Sequence, residues 1–227
     1  MKDSVSGIDY RFQDPHLLDQ ALTHRSVGSS NYERLEFLGD SVLNMIVSNR
    51  LFELKPDSSE GDLSRMRARL VRGQTLSEIA SNIGLGRQMS FGEGEMKAGS
   101  YRRESILADV FESVIGAVFL DGGFDACRQV VLQYFDPLIS DLPDIEELKD
   151  AKTRLQEWLQ ARGRPLPEYS LVREEGADHA KEFFVLCRLK DDGSESHDSG
   201  SSRRKAEQAA AGKMLNLLAG EDAVSYG

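Results

Sequence analysis

Five acidic residues, lying in two stretches far apart in the chain, have the types and spacing to do chemistry. The stretch "NYERLEFLGDS" (31–41) places Glu33, Glu36 and Asp40 within eight positions. On a helical wheel they fall within about 60° of one another, while Leu35, Leu38, Val42, Met45 and Ile46 gather on the opposite side. Taken alone this is the pattern of any surface helix, although like charges three and four apart mildly destabilise one. In "LADVFESVIGAVFL" (107–120), Asp109 and Glu112 are the only charges, and they share a face with Ser113 and Gly116. A helix of that composition is buried on most sides. Acids there must be paired, protonated or bound to a cation, because an isolated buried carboxylate is very costly.

Two outcomes are open for these acids. Arg67, Arg69, Arg102 and Arg103 are available as structural ion-pair partners. Alternatively, the two helices pack side by side and Glu36, Asp40, Asp109 and Glu112 converge as an all-oxygen site. Hard carboxylate ligands without His or Cys select magnesium or manganese over zinc. A pair of divalent ions about 4 Å apart suits phosphodiester hydrolysis, one activating water and the other stabilising the leaving oxygen. Glu60, opening "EGDLSR", adds a further carboxylate, and Glu33 lies at the edge of the acidic face. Gly39 and Gly116 would let the two backbones approach closely. The four histidines, His16, His24, His179 and His197, are scattered, so attack driven by a histidine pair is poorly supported; His24 reads as a hydrogen-bonded residue at a helix end.

Residues 1–146 read as helix after helix, which is what must hold these acids. Asp14 and Pro15 suit an N-cap and first helical position. Thr75 with Glu78 reads as a capping box for a helix stopped near Gly84. The apolar run carrying Asp109 and Glu112 is expected to end at Gly122-Gly123, and "FDACRQVVLQYF" at Pro137. No stretch there alternates as a strand does, so an all-α domain is expected. Residues 147–150 form a polar linker. From 151 to 220 the pattern changes to α-β-β-β-α: a helix closed by Gly163, the alternating runs "EYSLVRE" and "EFFVLCRLK", a short third strand around Glu195 to His197, and an alanine-rich helix with a serine cap. Residues 221–227 read as a tail.

Composition bounds the rest. The chain has 227 residues, a net charge of −10, and two distant cysteines, Cys127 and Cys187, which argue against a disulfide scaffold or zinc site. No run is long and apolar enough for a membrane span, and "MKDSVSGIDYRF" lacks the core of a secretory signal, so a cytoplasmic protein is expected. The acidity is uneven. Residues 151–227 hold 12 Lys+Arg against 13 Asp+Glu, so the first 150 carry the remaining 16 against 25. The first part is therefore −9 and the second −1, and a body this acidic needs cations or a basic partner domain to handle phosphate.

The second domain has three elements suited to an RNA duplex. Thr153, Gln156 and Glu157 share a helix face that can meet 2′-hydroxyls and bases in a minor groove. His179 lies in the loop between the first two strands. Arg203, Arg204 and Lys205 stand at the N-terminus of the last helix, where the dipole adds to their charge, and this suits phosphate oxygens.

"ERLEFLGDS" (33–41), with "ALTHRS" upstream and "RRESILADVFESVIGAVFLD" downstream, resembles the catalytic domain of the bacterial ribonuclease III family. "KTRLQEWLQ", "DHAKEF" and "GSSRRKAEQAAA" resemble a double-stranded RNA-binding domain. The resemblance implies a Mg²⁺-dependent endonuclease (Mn²⁺ may substitute) that cuts double-stranded RNA to 5′-phosphate and 3′-hydroxyl ends. It implies Glu36, Asp40, Asp109 and Glu112 as metal ligands, with Asp40 and Glu112 the most essential. Glu33 and Glu60 would position the cleavage site. A homodimer with Phe37 at its interface would give short 3′ overhangs, acting on ribosomal RNA precursors and structured transcripts. The family also has degenerate relatives that only bind duplexes, so a non-catalytic scaffold is the alternative. Two departures stand out: Asp198 where a glycine is usual before the basic cluster, and Ala151 and Ala177 where proline is common.

Overall fold

The computed structural model describes residues 3–143, 149–177 and 181–225, the last six by their backbone alone. The chain divides into two compact units, Met1–Leu142 and Pro143–Gly227.

The first unit is helical: α1 (Pro15–Ala21), α2 (Glu33–Leu54), α3 (Glu60–Leu70), α4 (Gly73–Asn82), α5 (Glu93–Lys97) and α6 (Glu104–Ser140), with two short 3₁₀ turns between α4 and α6. Asp14 caps α1 by accepting from the His16 N–H at 2.9 Å, and Pro15 takes the first turn, where its missing N–H has no partner to lose. The glycine pair expected to end a helix instead kinks α6: Gly123 has φ 75° and ψ −171°, so the rod is two helical segments in sequence. Pro137 does not stop the second segment, which continues to Ser140. Proline there removes one donor only, and its own carbonyl still accepts from the Asp141 N–H at 3.0 Å. The Thr75–Glu78 capping box does not form. Helix α4 begins at Gly73, which puts Thr75 inside the first turn, where its hydroxyl donates to the Arg69 carbonyl at 3.2 Å.

The core of this unit is α2 laid against α6. Leu35, Leu43, Ile46 and Val47 of α2 are buried with Val110, Val114, Ile115 and Val118 of α6. The contact is backbone on backbone. A Cβ added at Gly39 would lie 1.8 Å from the Glu112 carbonyl oxygen, and one at Gly116 would lie 2.2 Å from that of Leu35. The buried arc of α2 is centred on Gly39, and Met45 lies about 120° around the helix from it. Met45 is therefore 60% exposed and not part of the core, contrary to its expected place beside Ile46.

The second unit consists of α7 (Ala151–Ala161), β1 (Glu168–Glu175), β2 (Glu182–Arg188), β3 (Glu195–Gly200) and α8 (Arg203–Ser225). The strands form one antiparallel sheet in the order β1-β2-β3, with Tyr169 opposite Cys187 and Cys187 opposite Ser196. Leu155, Leu159, Val185, Cys187, Ala210 and Met214 build the core between helices and sheet. β1 was expected to be half buried, but nearly all its residues are exposed, because it is an edge strand with a bulge between Leu171 and Arg173. β3 is longer than the sequence suggested, and α8 runs past 220 to Ser225, since Glu221 to Ala223 contain no helix breaker.

Candidate active site

The α2–α6 contact brings the acids together. Glu36, Asp109 and Glu112 each offer a carboxylate oxygen within 4.8 Å of the others. Asp40, one turn beyond Glu36, stands just outside this trio. Its Oδ1 accepts from the Asn44 Nδ2 at 2.8 Å, and the same amide donates to the Asp40 carbonyl at 2.9 Å. Tyr32, the N-cap of α2, points its hydroxyl at Asp109 Oδ2 from 3.4 Å. Ser113, expected to share the acidic face, is fully buried and donates to the Ala21 carbonyl at 2.7 Å, tying α6 to the end of α1.

Like charges in a half-buried setting raise one another's proton affinity. Burial pushes the Glu112 carboxyl up to about 8, with the charges of Asp40, Glu36 and Asp109 adding to it. Burial and the Asp109 charge push Glu36 up to about 7. Asp109 is raised by burial as well, against the opposing donor from Tyr32. Among the described residues no Lys or Arg pairs with Glu36, Asp40, Asp109 or Glu112; Arg103 pairs with Glu95 and Arg25 with Glu33, each at 3.6 Å. The ion-pair alternative for the acids therefore fails, and what remains is an all-oxygen donor set that fits a hard divalent cation.

Beside the trio lies a polar cleft of about 240 Å³ lined by His24, Arg25, Tyr32, Glu33, Glu95 and Arg103, among others. Glu33 thus borders the site. Glu60 does not: it opens α3, accepts from the Ser64 hydroxyl at 2.8 Å and lines a separate cavity with Ser48, Phe52 and Arg67. His24 is buried, bonded through Nδ1 to the Ser26 hydroxyl at 2.8 Å, and its basicity is lowered by burial. Asn44 was legible in principle, being i+4 from Asp40, and so was Tyr32, i−4 from Glu36. Arg25 and Glu95 carried no such signal, because tertiary folding places them. Phe37 is 78% exposed and lies on one face of α2 with Met45 and with Phe52, itself 71% exposed.

In the second unit, Thr153, Gln156 and Glu157 stand on one side of α7, with the Thr153 N–H bound to Asp150 at 2.9 Å. Glu157 pairs with Lys149 at 2.5 Å. Arg203 is partly neutralised by Glu207 at 3.0 Å, and Glu207 also holds Lys152 at 2.7 Å. Arg204 makes no ion pair among the described residues, and Lys205 bonds to the Ser201 hydroxyl at 3.1 Å. Asp198 is paired with Lys213 at 3.3 Å and accepts from the Ser199 N–H at 2.8 Å, so its charge is already countered. His179 lies outside the described residues.

An all-carboxylate centre on packed helices, followed by an α-β-β-β-α unit with a basic helix start, defines a nuclease body joined to a nucleic-acid reader. Residues 14–138 match the family described as Ribonuclease-III-like, and residues 151–218 match the double-stranded RNA binding motif. Proteins named Ribonuclease 3 from Alkalilimnicola ehrlichii (50% identical over 96% of both chains) and Thiobacillus denitrificans (54% identical over 90% of this chain and 91% of that one) are among its relatives. The nuclease domain of ribonuclease III from Campylobacter jejuni is 40% identical with a TM-score of 0.55, covering 56% of this chain and 90% of that one. The chain belongs to the ribonuclease III family and is an endoribonuclease acting on double-stranded RNA. No described helix is long and apolar enough to cross a membrane.

Proposed function

We propose that Glu36, Asp40, Asp109 and Glu112 hold Mg²⁺, or Mn²⁺ in its place, and cut both strands of a duplex to 5′-phosphate and 3′-hydroxyl ends with short 3′ overhangs. The observation that carries this reading is the convergence of Glu36, Asp109 and Glu112 with no Lys or Arg paired to them among the described residues. The ions, when bound, supply Lewis acidity for the attacking water and the leaving oxygen. The chain supplies the frame. Glu112 keeps its proton near neutrality without an ion and must release it to become a ligand, so ion binding and deprotonation are coupled. Asn44 and Tyr32 hold Asp40 and Asp109 from outside, as outer partners of metal-ligating carboxylates do. Glu33 serves in positioning the cleavage site from the edge of the cleft, and Glu60 serves in it from outside that cleft.

The active form is a homodimer with Phe37 at its interface, supported by the exposed apolar stripe of Phe37, Met45 and Phe52. Thr153, Gln156, Glu157 and His179 read the minor groove, and Arg203, Arg204 and Lys205 meet phosphates. Precursors of ribosomal RNA and structured transcripts in the cytoplasm are the substrates. Cleavage of a long RNA duplex with and without Mg²⁺, reading product ends and overhang length, tests this. Glu112→Gln abolishes cleavage while duplex binding in Ca²⁺ persists; equal cutting by wild type and variant defeats the assignment of Glu112, and no cutting by wild type leaves the duplex-binding scaffold.

A further inference from the structure

Lys149 immediately precedes Asp150, the N-cap of α7, and reaches forward over two turns of that helix. Its Nζ lies 2.5 Å from Glu157 Oε2, and its side chain is only 11% exposed, against 43% for Glu157. Typical surface ion pairs keep both partners in water and contribute little. Here a largely buried lysine holds a carboxylate that itself remains accessible.

The accessible partner is the one that faces RNA in the reading above. A bare carboxylate brought against two strands of phosphate is repelled. With Lys149 beside it, Glu157 approaches with its charge countered. Lys149 also occupies Oε2, which leaves Oε1 as the acceptor. Of the two natural duplexes only RNA offers a 2′-hydroxyl donor in the minor groove to meet it. We propose, resting on the reading that this face of α7 meets RNA, that Lys149 is a positioning residue for duplex recognition. It acts through Glu157 and not on phosphate, and it sharpens the choice of RNA over DNA.

The test is a double-mutant cycle on the full chain, measuring binding to one RNA duplex and to the DNA duplex of the same sequence in Ca²⁺ over a range of salt. Lys149→Ala weakens RNA binding about tenfold, the scale of one hydrogen bond to a charged group, and narrows the RNA–DNA preference. In a Glu157→Gln background the same change costs nothing further. The salt slope stays that of wild type, and Lys149→Arg restores binding. Additive losses in the double variant overturn the proposal. So does a salt slope reduced by about one phosphate contact, which would mean that Lys149 touches the backbone directly. If Lys149→Ala lowers the melting temperature of the chain, Lys149→Gln takes its place in the cycle. Thr153→Ala and Gln156→Ala separate the two levels. Should neither weaken binding, the α7 face is not the RNA face; should both weaken it while the cycle is additive, only the role of Lys149 falls.

Discussion

Replacing Glu112 by glutamine should make the metal-free protein more stable at alkaline pH while destroying its activity. Glu112 rises from its ordinary 4.5 to about 8 in the folded chain. Over that window the folded state binds a proton that the unfolded state has released, so stability is full below 4.5 and falls as pH rises to about 8. A shift of that size has a ceiling of about 4.8 kcal/mol at 1.36 kcal/mol per unit. Glu112 is only half-buried and shares its field with three other acids, so solvent screening and coupling reduce the realised cost to about 1–2 kcal/mol. Glutamine keeps the shape and removes the charge. For a chain of this size the variant should melt about 2–8 °C above wild type at pH 9 in EDTA, with the difference vanishing near pH 5. Adding Mg²⁺ or Mn²⁺ should raise wild type and narrow the gap, because ion binding relieves in wild type what the substitution has already relieved. Thermal unfolding followed by circular dichroism at two pH values reads all of this. A variant less stable than wild type at pH 9, or a difference that does not change with pH, would refute the account from burial and like charge.

Three further outcomes follow from the same geometry. Gly39→Ala forces a methyl into the Glu112 carbonyl and should cost about 3 kcal/mol in urea unfolding, with loss of cleavage, because α2 and α6 must part. Phe37→Ala removes an exposed ring and should leave the fold of the single chain intact while shifting sedimentation from dimer toward monomer. Arg204→Ala, removing a cation of the basic cluster that makes no ion pair among the described residues, should weaken duplex binding evenly across sequences and reduce the salt slope by about one, whereas Arg203→Ala should do less because Glu207 already holds that guanidinium.

Much of the site was legible because its physical demands are local. Two acids in an otherwise apolar run imply a reason for being there, and glycines at Gly39 and Gly116 signal a close approach wherever helices meet. What the wheel cannot reveal is which arc of α2 a neighbour covers, and that is why it groups Met45 with Ile46 although Met45 stands on the surface with Phe37. The sequence likewise brings Asp40 in with Glu36, Asp109 and Glu112 as one convergent set; in the structure it stands outside the tight trio, its Oδ1 bonded to the Asn44 amide, and a side-chain rotamer of that kind is not written in spacing. Thr75 and Pro137 mislead for a shared reason: strong local signals yield when tertiary packing starts a helix three residues early or carries it past a break. The partial neutralisation of Arg203 arose from Glu207, which was in view four residues along.

The contact between Gly39 and Gly116 also bears on which ions the centre can tell apart. Where side chains separate two helices, small rotamer changes widen or narrow the gap, and a site slung between them can breathe with its occupant. Here the backbones themselves meet, so the spacing of the four attachment points is stiff. If the four acids hold the ion as proposed, adaptation to ionic radius falls on their side chains. Glu36 and Glu112 have three side-chain torsions each and can follow a larger ion; Asp40 and Asp109, with two, cannot follow far. Under that proposal, discrimination between Mg²⁺ and the larger Ca²⁺ becomes a question of how far two glutamates can retreat while two aspartates stay put.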